Sequence, residues 1–448
     1  DARPYADDLL YFPKAGFAMR KPFSYGLTTL FLTRSNYWPS PNPIDIANGI
    51  SLKAKDLPTH HYDDFDKLPE NMPRREKVLV ALMAVRDACR LTQSLQPNLK
   101  EVDKNSSSVA TIDKMDLSPV TVGDFVAQAL ILNKLHSAFP EDSFIAEESS
   151  EALQHDEILA SRIKDLTELE TTRLVMESID LGKAYLQWGK DSKTAGSNVR
   201  PQNVWCLDPI DGTKGFLRGK KDGGQYAVAL ALLENGIPVI GDLGCPNLPV
   251  NSDDDQYAWD KRETEENNRD KRGCIFLASK DGGCFQLPLE PTSPSLTRRI
   301  QVTPSCLPSD ARFCVGVEKC IADALGICDE MAKILHGGPD DALSVEGDII
   351  KFRRIDSMAK YAVVARGGAE LYVRLPKPGY VENIWDHAAA YVILTEAGGN
   401  VTDTIGRPLD FSQGAELSPD VKGILASSGG DLHKELVRSY SLATASLS

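Results

Sequence analysis

One stretch limits what this chain can become: Val204-Trp205-Cys206-Leu207-Asp208-Pro209-Ile210-Asp211-Gly212-Thr213. Its apolar opening, Val204 to Leu207, reads as a buried strand end. Asp208-Pro209 then forces an extended turn, because a residue before proline is pushed out of the α region. Gly212 is free to take a backbone conformation that other residues resist. The outcome is a tight loop carrying two carboxylates three positions apart, then a hydroxyl and backbone N–H groups. Asp208, Asp211 and the carbonyl of Ile210 offer the oxygen ligands that Mg²⁺ takes, and Mg²⁺ keeps water and phosphate in its shell. The N–H groups of Gly212 and Thr213 can bind a phosphate as a helix N-terminus does. Asp-Pro and Asp-Gly are also ordinary turn dipeptides, so the short motif alone leaves both readings open.

Composition sets the class. The 448 residues suffice for roughly two to four domains and a large core. Hydrophobic residues make up 42% and charged residues 25%, which is ordinary for a globular protein. No apolar run reaches the roughly 18 residues of a membrane span, so no membrane partner is expected. A net charge of −14 disfavours a nucleic-acid polymer as partner. An acidic protein that takes an anionic phosphate needs local cations, which again points to metal. Nine cysteines with no C-x-x-C pair fit neither a disulfide framework nor a zinc site and suit a reducing compartment.

Residues 1–72 read as an N-terminal extension. Between Asp8 and Asp45 there is no acidic residue, while Lys14, Arg20, Lys21 and Arg34 are present. That composition resembles an organelle-targeting segment, and a disordered or surface-wrapping extension is the favoured reading. The expected location is cytoplasmic, or chloroplast or mitochondrion if the extension is a targeting segment. The chain starts at Asp1 rather than Met, consistent with an upstream piece. His60-His61 has no other ligands nearby and reads as exposed loop.

The folded part is expected to begin at residue 73, with a half at 73–299, a second at 300–440 and a frayed tail at 441–448. Arg74 to Gln96 has helical spacing, with Val78, Leu82, Val85, Ala88 and Leu91 on one face. Lys104 to Asp116 reads as a mobile loop. A second helix is predicted over Phe125–Phe139 with Asp124 as its N-cap. Phe144 to Ser149 is a strand ending in Glu147 and Glu148, which point to opposite faces. Glu151 to Asn203 looks like a solvated insertion, with one charged helix over Glu157–Leu174. Strands are predicted at Gln225–Leu233 and Ile237–Leu243, joined by the hairpin signal Asn235-Gly236, and Gly244 to Pro249 closes the pair. Cys274–Ala278 and Gly282–Leu287 form another hairpin, after a charged loop over Asp253–Arg272. The second half alternates strand and helix, as an α/β unit does. Its strands fall at Phe313–Val317, Ile349–Ile355 and Ala369–Leu375, and its helices at Lys319–Leu335, Ser357–Ala365 and Ile384–Glu396.

Continued to Gly219, the string D-P-I-D-G-T-K-G-F-L-R-G resembles the signature of the lithium-sensitive, magnesium-dependent phosphatases related to inositol monophosphatase. It is similar to their 3′(2′),5′-bisphosphate nucleotidase branch in particular. A-V-R-D-A-C-R-L-T-Q (84–93), G-C-P-N-L-P (244–249), W-D-H-A-A (385–389) and N-V-T-D-T-I-G-R-P-L-D-F (400–411) extend the likeness over roughly residues 73 to 440. The resemblance implies an α/β fold built as a layered αβαβα sandwich, with the active site between an α+β half and an α/β half. It makes Glu147, Asp208, Asp211, Asp386 and the Ile210 carbonyl ligands of two or three Mg²⁺ ions. It makes Thr213 the residue that helps deprotonate the attacking water, oriented by Asp124 of the S-P-V-T-x-x-D motif. Lys114 and Asp116 lie where the family carries further charged residues, but at loose spacing. Gly212 and Thr213 would hold the reacting phosphate. Ser357, Lys360 and Arg374 match the pattern around the adenosine and the 5′-phosphate. Ile321 departs from it, since the nucleotidases usually carry a histidine there, and extra residues lie between His336 and Ile349.

Three functions follow in order. The first is a metal-dependent phosphomonoesterase converting 3′-phosphoadenosine 5′-phosphate to AMP, extending to 3′-phosphoadenosine 5′-phosphosulfate, in sulfur metabolism. The second is an inositol phosphate phosphatase of the same fold. The third is a non-catalytic phosphonucleotide-binding regulator.

Overall fold

Strand β4 (Asn203–Asp211) is longer than the sequence implies and carries the key irregularity. It pairs with β5 (Ala227–Glu234) from Asn203↔Glu234 to Asp208↔Ala229, then resumes at Asp211↔Ala227. Three steps on β4 thus match two on β5: one extra residue sits at Pro209-Ile210. Pro209 has no N–H for the ladder, and the break is a bulge within the strand rather than a turn after it. In a regular strand, residues three apart point to opposite faces. The extra residue cancels that offset and re-aims the chain, bringing Asp208 and Asp211 to one side.

The computed structural model describes residues 65–96, 111–113, 119–183, 202–220, 223–251, 272–290, 297–317, 326–337 and 352–447. All lie in one unit, residues 49–448. Helix α1 (Arg75–Leu95) comes first, then β1 (Thr111–Asp113) and β2 (Pro119–Thr121), an antiparallel pair. Next are α2 (Val122–Ala138), β3 (Ser143–Ala146), α3 (Glu157–Thr167) and α4 (Thr172–Asp180). After β4 and α5 (Thr213–Arg218), β5 turns into β6 (Ile237–Pro249). Asn235 and Gly236 both have positive φ, at 50° and 83°, as the two-residue hairpin requires. Strands β7 (Arg272–Ser279), β8 (Gly283–Pro288) and β9 (Arg298–Ile300) complete a seven-stranded sheet in the order β3 to β9.

The second sheet holds five strands in the order β11-β10-β12-β14-β13. These are β10 (Phe313–Val315), β11 (Phe352–Arg354), β12 (Leu371–Arg374), β13 (Asn400–Asp403) and β14 (Ile424–Ser427). Helices α6 (Ile327–His336), α7 (Ala359–Ala365), α8 (Ala388–Glu396) and α9 (Gly430–Leu447) accompany it.

Strand alternation sorts the side chains into layers. Trp205 and Leu207 face α1 and α2, packing with Val78, Leu82, Ile131 and Leu135. Val204 and Cys206 face the other way, onto Tyr361 of α7, Ile393 of α8 and Tyr372 and Ala426 of the second sheet. The far face of that sheet, Leu371, Val373 and Leu425, packs on Met331 of α6 and Leu436 of α9. The order is helices, seven strands, helices, five strands, helices: the αβαβα sandwich expected. Asp208 continues the parity of Val204 and Cys206 and so points into the seam between the sheets.

Several expectations are corrected. Folded structure begins before residue 73, since Phe65, Leu68 and Met72 are buried against α1. Residues 1–64, with His60 and His61, lie outside the described residues, as do Lys114, Asp116, Ile321 and 338–351. The part of Lys104–Asp116 that is described, Thr111–Asp113, is strand. Helix α2 is capped by Thr121, and Asp124 sits at its third position, closing a reciprocal capping box. Within Glu151–Asn203, the described residues 151–183 are not a solvated excursion, and 184–201 lie outside the described residues. The charged helix is broken at Glu168, where φ is 57°, and Leu159, Ile163, Val175 and Ile179 are buried against Phe125 and Val126 of α2. Strand β6 continues through Pro249 instead of closing at Gly244. Helix α6 is described from Ile327 to His336, and the predicted start at Lys319 falls in 318–325, outside the described residues. Helix α7 starts at Ala359, not Ser357. Asp386 lies in a 3₁₀ turn, Ile384–Asp386, ahead of α8. Helix α9 runs to Leu447 with Ala443 buried, so the tail is not frayed.

Candidate active site

Two carboxylates on β4 and one from the 3₁₀ turn ahead of α8 meet in the seam. One oxygen from each of Asp208, Asp211 and Asp386 lies within 4.8 Å of the others. Asp208 is 2% exposed, and its Oδ1 has no hydrogen-bond partner. An orphaned buried carboxylate oxygen is costly, so its presence marks an acceptor waiting for a cation. Asp211 is braced by the Met358 N–H, which donates to its Oδ2. Glu147 follows β3, and its N–H donates to Leu207 O at 3.3 Å. Glu148 is buried. Gln128 pins the backbone of Glu148 through bonds of 3.0 and 2.8 Å.

The electrostatics follow from burial and like charge. Burial, then Glu147, Asp211, Asp386 and Asp124, push the Asp208 carboxyl well above the usual range. Burial also raises Asp211, opposed by Lys360. Burial pushes Asp386 up to about 8, with Arg374 opposing and Asp211 adding. These donors are hard oxygens, the set that suits Mg²⁺ or another hard divalent ion, so the residues fit a metal site. A second group, Glu382, Asp386 and His387, fits less well because Glu382 and His387 are bonded to each other and to Arg374 and Tyr361.

A raised carboxyl has a definite sign in stability. Asp386 contributes fully below its unfolded value, and that contribution is lost as pH rises towards about 8. A divalent ion binds the ionised form and reverses the loss. The melting-temperature gap between metal-loaded and chelated protein is therefore expected to widen from pH 5 to pH 8. A gap that stays constant would count against a carboxylate metal site.

The remaining candidates surround this cluster. Thr213 opens α5, and its Oγ donates to Ile210 O at 3.2 Å. Asp124 Oδ2 accepts from Thr121 N–H and Oγ–H at 2.8 and 2.7 Å. The first turn of α2 abuts the motif, since a Cβ on Gly123 would lie 2.8 Å from Ile210 Cδ1. Gly212 has φ of 85°, and a Cβ there would meet Ser357 Cβ at 2.9 Å, so only glycine fits. Ser357 itself is left-handed, with φ of 65°. Lys360 is 6% exposed, and its Nζ donates to Ile355 O at 3.0 Å and Ser357 O at 2.6 Å. Burial lowers its amine to about 8. Arg374 Nε donates to both oxygens of Glu382 at 2.8 and 3.0 Å, and its Nη2 reaches Asp386 at 3.3 Å. Ser357, Lys360 and Arg374 are thus brought beside the carboxylates, although the lysine and the arginine already hold protein partners.

Sequence reasoning missed a buried relay. Tyr361 OH bonds His387 Nδ1 at 2.9 Å, and His387 Nε2 bonds Glu382 Oε2 at 3.2 Å. Burial lowers the His387 pKa, so the neutral ring donates to Glu382 and accepts from Tyr361. Glu382 thereby accepts from both His387 and Arg374, and burial notwithstanding, the Arg374 charge holds its carboxyl far below the usual range. The run V-E-N-I-W-D-H places Glu382 and His387 on either side of Asp386, the one signal that could have drawn attention to them.

A model of the inositol monophosphatase family matches residues 75–443. The chain belongs to the inositol monophosphatase family. Curated family members similar to it include the 3′(2′),5′-bisphosphate nucleotidase of Emericella nidulans, 39% identical over 356 residues, which span 78% of this chain and 93% of that protein. The 3′(2′),5′-bisphosphate nucleotidase of Schizosaccharomyces pombe is 38% identical over 368 residues, or 79% of this chain and 92% of that one. The 3′,5′-bisphosphate nucleotidase 2 of Arabidopsis thaliana is 34% identical, over 78% of this chain and 91% of its own length. Among the described residues of this family member, no helix is long and apolar enough to cross a membrane.

Proposed function

We propose that the chain is a Mg²⁺-dependent 3′(2′),5′-bisphosphate nucleotidase. It removes the 3′-phosphate of 3′-phosphoadenosine 5′-phosphate to leave AMP, and acts likewise on 3′-phosphoadenosine 5′-phosphosulfate to leave adenosine 5′-phosphosulfate. The observation that carries this reading is the convergence of Asp208, Asp211 and Asp386 around the unpartnered Oδ1 of Asp208. The names of its relatives supply the substrate class.

Glu147, Asp208, Asp211, Asp386 and the Ile210 carbonyl would hold two or three ions. Bound there, Mg²⁺ supplies Lewis acidity and lowers the pKa of water. Thr213 would orient that water and relay its proton, the hydroxyl passing its own proton to the Asp124 carboxylate as it takes up the water's. The water oxygen bonds to phosphorus as the 3′ ester oxygen leaves, in line and without a phosphoenzyme. Gly212 and Thr213 N–H groups face the reacting phosphate. Ser357 and Arg374 serve the nucleotide end, with Lys360 supporting the Ser357 loop from beneath. The substrate is small, and no membrane or nucleic-acid polymer takes part.

Phosphate release from 3′-phosphoadenosine 5′-phosphate, with inositol 1,4-bisphosphate alongside, tests the reading. Release from the nucleotide that depends on Mg²⁺ is expected. Preference for the inositol phosphate would keep the metal chemistry and overturn the substrate. No release above an Asp208→Asn control would favour a phosphonucleotide-binding regulator.

A further inference from the structure

Ser357 occupies a left-handed backbone conformation that a side-chain-bearing residue resists. It stays there because its loop is tied down from several directions. Lys360 holds the carbonyls of Ile355 and Ser357. Met358 N–H is spent on Asp211. A further anchor is Asp356, whose Oδ2 accepts from Arg218 Nη1 at 2.5 Å and from Gln225 N–H at 3.3 Å. The Asp356 side chain is 8% exposed and that of Arg218 28%. Arg218 ends α5, the helix that Thr213 begins. No side chain intervenes: a Cβ on Gly215 would lie 2.0 Å from Gln225 O and 2.8 Å from Asp356 Oδ2.

We propose that Arg218 and Asp356 form a positioning latch between the two sides of the site. Arg218 fixes the α5 side, with Gly212 and Thr213. Asp356 fixes the loop that presents Ser357 and lends its Met358 N–H to Asp211. Neither residue touches the carboxylate cluster in the described contacts, so both act through their neighbours. The inference rests on the proposed site. It adds a consequence: metal binding and grip on the nucleotide are linked, because one short loop braces Asp211 and supplies Ser357. The latch also gives the K-G-F-L-R-G continuation a physical purpose.

The test uses the whole chain with Arg218→Gln, Asp356→Asn, the double variant and Arg218→Lys. Mn²⁺ affinity is measured by calorimetry without substrate, and KM and kcat with 3′-phosphoadenosine 5′-phosphate. Loss of one charge-assisted hydrogen bond predicts about a tenfold rise in both the Mn²⁺ dissociation constant and KM, with kcat changed less than about threefold. The double variant is expected to be no worse than the weaker single, because both break one contact. Arg218→Lys keeps the charge and is expected to restore most of the affinity. Unchanged Mn²⁺ affinity in both single variants, or additive effects in the double, would overturn the latch. A lower melting temperature with wild-type affinity and KM would reduce the pair to a structural contact and overturn it too. If wild-type protein does not hydrolyse the nucleotide, the proposed function fails, while the Mn²⁺ measurement still decides the latch.

Discussion

Asp208→Asn is expected to lower turnover by about a thousandfold or more, since a bound metal contributes several kcal/mol to the transition state. The amide has the same shape but lacks the charge that a cation needs. The fold should not suffer, for a physical reason. Asp208 is buried among Glu147, Asp211 and Asp386, and burial has already driven its pKa up. Replacing it removes repulsion, so the chelated variant should melt no lower than chelated wild type. Phosphate-release assays and paired melts in chelator check both halves. Turnover within about tenfold of wild type would remove Asp208 from the metal site.

Glu382→Ala carries the second large effect, this time on stability. Glu382 is 1% exposed and accepts from Arg374 and His387. Removing it leaves the arginine charge without its main partner, a change that costs about 3–5 kcal/mol in fully buried pairs and less here, because the Arg374 side chain is 31% exposed. Denaturant unfolding of the metal-loaded protein is the measurement. Replacing both partners, as Glu382→Leu with Arg374→Met, should cost less than Glu382→Ala alone, because no stranded charge remains. A loss below about 1 kcal/mol for Glu382→Ala would mean that solvent reaches the pair.

The elements with strong local signals were legible in the sequence. Asn235-Gly236 announced its hairpin because so few dipeptides accept two positive φ angles in succession. Helix α1 announced itself through Val78, Leu82 and Val85. The layered sandwich came through resemblance, and the alternation of Trp205 and Cys206 then shows how it packs. What stayed hidden depends on distance across the fold. Asp124 looked like a cap because Thr121 and Asp124 both belong to the capping box, and only geometry says which comes first. The helices after Glu151 looked solvated because their charges outnumber Leu159, Ile163, Val175 and Ile179, which nonetheless share one buried face. The bulge at Pro209-Ile210 was read as a turn, since proline breaks either. Arg374 meets Glu382 across a loop, and Arg218 meets Asp356 between sheets, so neither pairing leaves a periodic trace.

The bond from Met358 to Asp211 spans 147 residues, which orders events during synthesis. Asp208 and Asp211 leave the ribosome long before Ser357, Arg374 or Asp386 exist. The seven-stranded sheet can pair as far as β9 while the face bearing Cys206, Ala229 and Leu243 still lacks α7 and α8. For that interval the nascent chain carries an open apolar sheet, the sort of surface that invites misassembly. The cover is complete, and the third carboxylate present, only when the W-D-H-A-A segment and α8 have emerged. A chain cut short before Asp386 would lack both the cover and the third carboxylate of the cluster.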